Sequence, residues 1–214
     1  MAELTPQFAE ILGLLCAEGC HAVSYCTYLE VDRGRPRLRR NKKSETIQLY
    51  NKDEKLLLHY TSLLNVVFSY PARVSRNGKV NIGAKHMMRA ILNHTPLGCD
   101  KWKVPLAVRR ANKEIKLAFV RGYFDGDGTS SSTVRFFSIN KDGLLGVFSL
   151  LTDLRFKPTF QGPIIKKNRR PSYIIQISRK ERERFLNEIK PVSKLPARGL
   201  AMRGLSSGPR PLDP

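Results

Sequence analysis

The sequence predicts an α+β protein built from two pseudo-symmetric halves, and three observations predict it. A nine-residue pattern occurs twice, as Ile11-Leu-Gly-Leu-Leu-Cys-Ala-Glu-Gly19 and, 109 residues later, as Val120-Arg-Gly-Tyr-Phe-Asp-Gly-Asp-Gly128. A second echo follows each copy. Ile47-Gln-Leu-Tyr-Asn-Lys52 precedes a Leu-rich stretch from Glu54 to Phe68, and Phe136-Phe-Ser-Ile-Asn-Lys141 precedes another from Gly143 to Leu154. Helical and alternating patterns follow one another in the same order in both halves, as a tandem duplication requires.

In the first half, Pro6 to Ala17 is predicted as a helix, with Thr5 as N-cap, Pro6 at the first position and Gly19 ending it. From Val23 to Val31 the chain alternates: Val23, Tyr25, Thr27, Leu29 and Val31 share one face, and Ser24, Cys26, Tyr28 and Glu30 the other. Glu45 to Asn51 is the returning strand. After the Leu-rich helix, Ala72 to Ile82 is predicted as a hairpin turning on Asn77-Gly78, and Lys85 to Asn93 as a closing helix. The second half repeats this order: helix Lys113 to Asp125, strand Thr133 to Asn140, the Leu-rich helix, strands Thr159 to Lys166 and Ser172 to Ser178, and helix Arg179 to Ile189. The expected organisation is a first repeat over 1–94, a linker over 95–112, a second repeat over 113–190 and a mobile Pro/Gly-rich tail over 191–214.

Composition narrows the function classes. Of 214 residues, 41% are hydrophobic, enough for a sizeable core and against disorder. Lys and Arg number 38 against 18 Asp and Glu, a net charge of +20 and pI ≈ 10.2. Ordinary small domains carry net charges of magnitude about 2–8, so a polyanionic partner is expected. No apolar run approaches a membrane span, and Glu3 and Glu10 stand where a signal peptide would be basic and then greasy. The expected setting is intracellular. Cys16, Cys20, Cys26 and Cys99 lack the paired spacing of a zinc site and are expected as free thiols.

Chemistry concentrates at the ends of the duplicated helices. Gly13 and Ala17, and likewise Gly122 and Gly126, are four apart, so each helix has a flank almost bare of side chains. Two such flanks can pack backbone against backbone. Glu18 and Asp127 would then emerge side by side at the C-terminal ends, where the helix dipoles are negative. Adjacent carboxylates need a proton or a cation between them, and hard Mg²⁺, which prefers oxygen, is the natural occupant.

These two nonapeptides resemble the motifs of the LAGLIDADG homing endonucleases, in the single-chain form that carries two copies. The resemblance covers roughly residues 6 to 189. It implies an αββαββα unit per half, motif helices at a pseudo-twofold interface, and saddle-shaped antiparallel sheets straddling duplex DNA in the major groove. It further implies a monomeric, Mg²⁺-dependent, intron-homing endonuclease that hydrolyses one phosphodiester on each strand of a long asymmetric site and leaves 3′ overhangs. The metal-binding acids would be Glu18 and Asp127, assisted by the carbonyls of Ala17 and Gly126, with two or three divalent ions at the interface and Mn²⁺ able to substitute. Asn51-Lys52 and Asn140-Lys141 fall where the family places a lysine and an amide over the active site, and a lysine there stabilises charge on the phosphate. Asp125 is a variable position of the pattern.

The same resemblance assigns the basic clusters to the DNA groove. Arg33, Arg35, Arg37, Arg39, Arg40, Lys42 and Lys43 are expected at one hairpin tip, and Lys166, Lys167, Arg169 and Arg170 at a second, mainly holding phosphates. Ser24, Tyr28, Glu30, Gln48, Arg73, Ser75, Lys79 and Asn81, with Arg76 beside them, are the expected base readers of the first half. Arg135, Gln176 and Ser178 are those of the second. Trp102 is expected to pack the linker. An intron context is expected over an intein one, because the sequence neither starts with Cys or Ser nor ends in a His-Asn splice junction. The alternatives are a maturase of the same fold, with intron RNA as partner, and a non-catalytic DNA-binding regulator.

Overall fold

A computed structural model describes residues 3–193. In chain order the elements are α1 (Pro6–Glu18), β1 (Gly19–Asp32), β2 (Arg35–Tyr50), α2 (Glu54–Phe68), β3 (Lys79–Ile82), α3 (Lys85–Leu92) and α4 (Leu106–Arg110). They continue with α5 (Lys113–Asp127), β4 (Gly128–Ser130), β5 (Val134–Ser138), α6 (Lys141–Asp153), β6 (Thr159–Ile164), β7 (Ser172–Ile177) and α7 (Arg179–Ile189). The fold is α+β, with one antiparallel sheet per half, ordered β1-β2-β3 and β4-β5-β7-β6.

α1 and α5 form the centre. Residues Phe8 to Cys16 are all buried, as are Ala118 to Val120 and Gly122 to Gly126. A helix apolar on every side belongs in an interior, and these two lie against each other and against their own sheets. Thr5 caps α1, its hydroxyl accepting from the Phe8 amide at 3.2 Å, and Asn112 caps α5 by accepting from Ile115 at 3.1 Å. Glu10 is the one buried charged side chain of α1. Its carboxylate meets His59 Nε2 of α2 at 2.6 Å and Arg121 Nη1 of α5 at 3.0 Å, so both halves share one buried ionic contact.

Gly19 and Gly128 end the helices without the left-handed backbone that often follows a helix. Both are extended, with φ of −87° and −91°. A Cβ on Gly19 would strike the Leu15 carbonyl, and one on Gly128 the Phe124 ring. Glycine is needed there for space, so that each strand starts directly on the last turn of its helix.

The β1–β2 hairpin is much longer than the sequence suggested. β2 starts at Arg35, and the turn is only Arg33-Gly34, both at positive φ (49° and 77°). The predicted alternation of β1 holds, but the face carrying Val23, Tyr25, Leu29 and Val31 is exposed, because the hairpin extends past the core that covers Ile47 and Leu49. A bulge opposite Thr27 accommodates Arg40 and Asn41, the latter at φ 50° with its amide donating to the Thr27 hydroxyl at 3.2 Å.

In the predicted Ala72–Ile82 hairpin, the turn at Asn77-Gly78 is present, but the first arm is reduced to a single Val74–Val80 bridge. The corresponding arm of the second half is the full strand β6, so only that half carries four strands. The 95–112 stretch is ordered: Trp102 is buried, its ring 4.9 Å from that of Tyr123, and its carbonyl accepts from Asn140 Nδ2 at 2.6 Å. The tail expected over 191–214 lies outside the described residues from position 194 onward.

Candidate active site and nucleic-acid interface

The two motif helices run in the same direction, flank against flank. A Cβ on Gly13 would collide with the Phe119 carbonyl and stand 2.9 Å from the Tyr123 amide nitrogen. A Cβ on Gly122 would collide with the Glu10 carbonyl and stand 2.9 Å from the Leu14 amide nitrogen. The contacts are reciprocal, as a pseudo-twofold axis demands. One turn further on, a Cβ on Gly126 would strike the Ala17 methyl and lie 3.1 Å from Glu18 Cγ. Glu18 is therefore beside the last turn of α5, and Asp127 follows on that turn. Both carboxylates are half-buried at the paired C-terminal ends, and their charges reach the same buried group. Burial, then the charge of Asp127 and, more weakly, that of Glu18, push the Tyr123 hydroxyl well above its ordinary range, while that hydroxyl donates to the Phe137 carbonyl at 3.1 Å.

Asn51 enters this site as the motif echo suggested. Its Nδ2 donates to Glu18 Oε1 at 3.3 Å, its Oδ1 accepts from the Asp53 amide at 2.9 Å, and exposed Lys52 follows it. Asn140 and Lys141 do not repeat this arrangement. β1 pairs Gly19 with Leu49, and β4 pairs Gly128 with Phe136, so Leu49 and Phe136 are counterparts. Counting on from them, Asn51 corresponds to Ser138, Lys52 to Ile139, and Asp53 to Asn140. Side-chain roles agree: Ser138 Oγ accepts from the Asn140 amide at 3.0 Å just as Asn51 accepts from that of Asp53, and Asp53 and Asn140 are the N-caps of α2 and α6. The repeated Asn-Lys pairs are therefore out of register by two residues. Asn140 is a buried cap tied to Trp102, and Lys141 opens a helix.

Asp125, set aside from the sequence, has a structural role. It is buried, and its oxygens accept from the amides of Val192 and Ser193 and from the Ser193 hydroxyl at 2.9–3.2 Å, anchoring the chain after α7.

The first sheet sorts the expected contact residues by register. Ser24, Tyr28 and Glu30 share a face with Arg35, Arg37, Arg39, Lys42 and Gln48 across the ladder, and Lys79 and Asn81 of β3 continue it past Gln48. Arg73 falls on the same side through the Val74–Val80 bridge. Expectations for five residues change here. Lys43 opposes Tyr25 on the other face, where it pairs with Glu45. Arg40 sits in the bulge. The Glu30 carboxylate is held by Arg39 Nε at 2.7 Å, which lowers its pKa, so it aims the arginine instead of presenting a free acceptor. The Ser75 hydroxyl is spent within its turn, on Asn77 and on the backbone of Lys79, and Arg76 is a turn residue. The seven basic residues expected at a tip are, apart from Arg33, strand residues.

In the second half, Arg135 and Gln176 lie side by side on the solvent face, joined at 3.1 Å, while Ser178 is the cap position of α7 and not a strand residue. Lys166, Lys167, Arg169 and Arg170 occupy the β6–β7 loop, and Arg170 is paired with Asp100 at 3.1 Å.

Comparisons with known proteins bear on the fold. Residues 114–190 match the model of the LAGLIDADG-like domain. The chain superposes on the homing endonuclease I-DmoI, solved in complex with DNA and Mn, with a TM-score of 0.62 over 87% of this chain and 97% of that one, at 19% identity. Residues 114–190 are a LAGLIDADG-like domain, and the chain as a whole has the fold of that homing endonuclease. The chain also superposes on full-length DUF199/WhiA from Thermatoga maritima, with a TM-score of 0.52, 15% identity, and coverage of 88% of this chain and 56% of that one. In sequence, a DNA polymerase of Thermococcus hydrothermalis is 30% identical over 156 residues. That match takes in 71% of this chain but 8% of the polymerase, so the chain spans a small part of that relative's length. Among the described residues no helix is long and apolar enough to cross a membrane.

Proposed function

We propose that the chain is a site-specific, divalent-metal-dependent DNA endonuclease of the intron-homing kind, acting as a monomer on a long asymmetric target and leaving 3′ overhangs. The observation that carries this reading is the packing of Gly13 on α5 and Gly122 on α1, which brings Glu18 and Asp127 to one place from two repeats. The donor set suits a hard cation: two carboxylates, with the carbonyls of Ala17 and Gly126 beside them, at two helix ends whose dipoles are negative. Mg²⁺ bound there would neutralise charge developing on the scissile phosphates. Support for divalent metals comes from I-DmoI, solved in complex with DNA and Mn, with DNA and Ca, and, as a variant, with its target DNA in the presence of Mg.

The chain's own residues divide the remaining work. Asn51 fixes the rotamer of Glu18, and Lys52 presents an ammonium group to the phosphate. The like-faced Arg35, Arg37, Arg39 and Lys42 grip the backbone, while Ser24, Tyr28, Gln48, Lys79 and Asn81 face base edges, with Arg135 and Gln176 opposite them. A target selected from a randomised DNA library and cloned into a supercoiled plasmid tests the reading. Glu18→Gln and Asp127→Asn should each abolish cutting while DNA affinity stays within a few-fold. Cutting by either variant at the wild-type rate rejects it. A chain that binds intron RNA and leaves DNA intact is a maturase, and one that binds the selected site without cutting under any divalent ion is a regulator.

A further inference from the structure

The two halves of the site are unequal. Lys52 stands after Asn51 in the first half, and its register counterpart in the second is Ile139, which has no charge. Ile139 lines a pocket of about 390 Å³ together with Lys166, Arg169, Arg170 and Ser172, so the β6–β7 loop lies over the position where a lysine is missing. The equivalent connection in the first half also abuts its strand end, since the Asn51 amide donates to the Gly78 carbonyl at 3.1 Å. That turn is tight, closed by Ser75 and Gly78. The second is a seven-residue loop, 165–171, with four basic side chains. Arg170 is committed to Asp100. Lys166 and Arg169 are exposed and, among the described residues, have no ion-pair partner.

We propose that Lys166 and Arg169 supply the phosphate-facing positive charge of the second half in place of a lysine at position 139, so that the two DNA strands are cut with different cation sets. Their side chains are positioning and charge-stabilising groups for one strand only. The inference rests on the endonuclease reading.

The test uses the full chain and the selected target with each strand labelled separately. In Lys166→Met/Arg169→Met, one strand should be cut about tenfold more slowly or worse, with the other unchanged and nicked DNA accumulating. Lys52→Met should slow the opposite strand. Adding Ile139→Lys to the double variant should restore the slowed strand. Equal slowing of both strands, unchanged cutting of both, or no rescue by Ile139→Lys overturns the proposal. These outcomes are separable from failure of the endonuclease reading, in which the wild-type chain cuts neither strand.

Discussion

Gly122→Ala places a methyl group where two backbones already touch. The new Cβ would collide with the Glu10 carbonyl oxygen, and it would lie 2.9 Å from the Leu14 nitrogen and 3.1 Å from the Glu10 carbonyl carbon. Ordinary contacts of this kind are about 3.5–4.0 Å, so the helices must part by roughly 1 Å. Overpacking costs about 1–3 kcal/mol, and the upper end applies because backbone atoms cannot rotate out of the way. Alanine's better helix propensity returns about 1 kcal/mol, leaving a net loss near 2 kcal/mol. For a chain of this size that lowers Tm by about 4–8 °C. The same separation moves Glu18 away from Asp127, and a 1 Å misplacement in a reacting site costs about a hundredfold in rate. Thermal melts and plasmid cutting measure both effects. Gly83→Ala is the control, since its Cβ meets nothing within 4 Å, and it should stay within about 0.5 kcal/mol of wild type. If Gly122→Ala melts and cuts like wild type, the close packing of α1 on α5 is not what assembles the site.

Three further outcomes follow from particular contacts. Glu10→Ala leaves Arg121 and His59 without their shared buried partner and should cost about 3–5 kcal/mol in a denaturant melt; a loss under 1 kcal/mol would remove the ionic link between halves from the account. Burial raises the Asp125 pKa, against the opposing pull of the Val192 and Ser193 amides. The folded chain thus binds this proton more tightly than the unfolded one, and the associated stability is present below the unfolded value, near pH 4, and lost as pH rises through the folded value. Asp125→Asn should flatten that part of the stability profile while costing about 1–3 kcal/mol through a mismatched amide, and an unchanged profile would contradict the assignment. Cys20 and Cys26 are exposed on the face shared by Gln48 and Lys42, whereas Cys16 is buried with its thiol pKa pushed up. Maleimide should label the first two and spare Cys16, and target DNA should protect both; undiminished labelling would place DNA elsewhere.

Much of the fold was legible because burial and periodicity coincide. α2 and α7 follow the predicted bounds, their apolar stripes being packed on the core, and the duplicated nonapeptides mark the helices whose bare flanks meet. What was hidden depends on pairing instead of burial. β2 from Arg35 to Ser44 is polar and exposed, and only its ladder with β1 makes it a strand, so it looked like a charged tip. The Asn-Lys echo misled for a related reason. The two hairpins differ in length, and a chance match two residues along concealed that Ile139, not Lys141, is the partner of Lys52. The pairing of Arg39 with Glu30 and the anchoring of Val192 and Ser193 by Asp125 join residues whose separation in sequence carries no periodic signal.

Anomalous diffraction from Mn²⁺ in crystals of the chain bound to its selected DNA addresses the shared carboxylate site most directly. A manganese peak coordinated by one oxygen of Glu18 and one of Asp127, at roughly 2.0–2.2 Å from each and adjacent to a scissile phosphate, is the predicted result. A peak bound to one repeat alone, or none between the two carboxylates while DNA is in place, would contradict it.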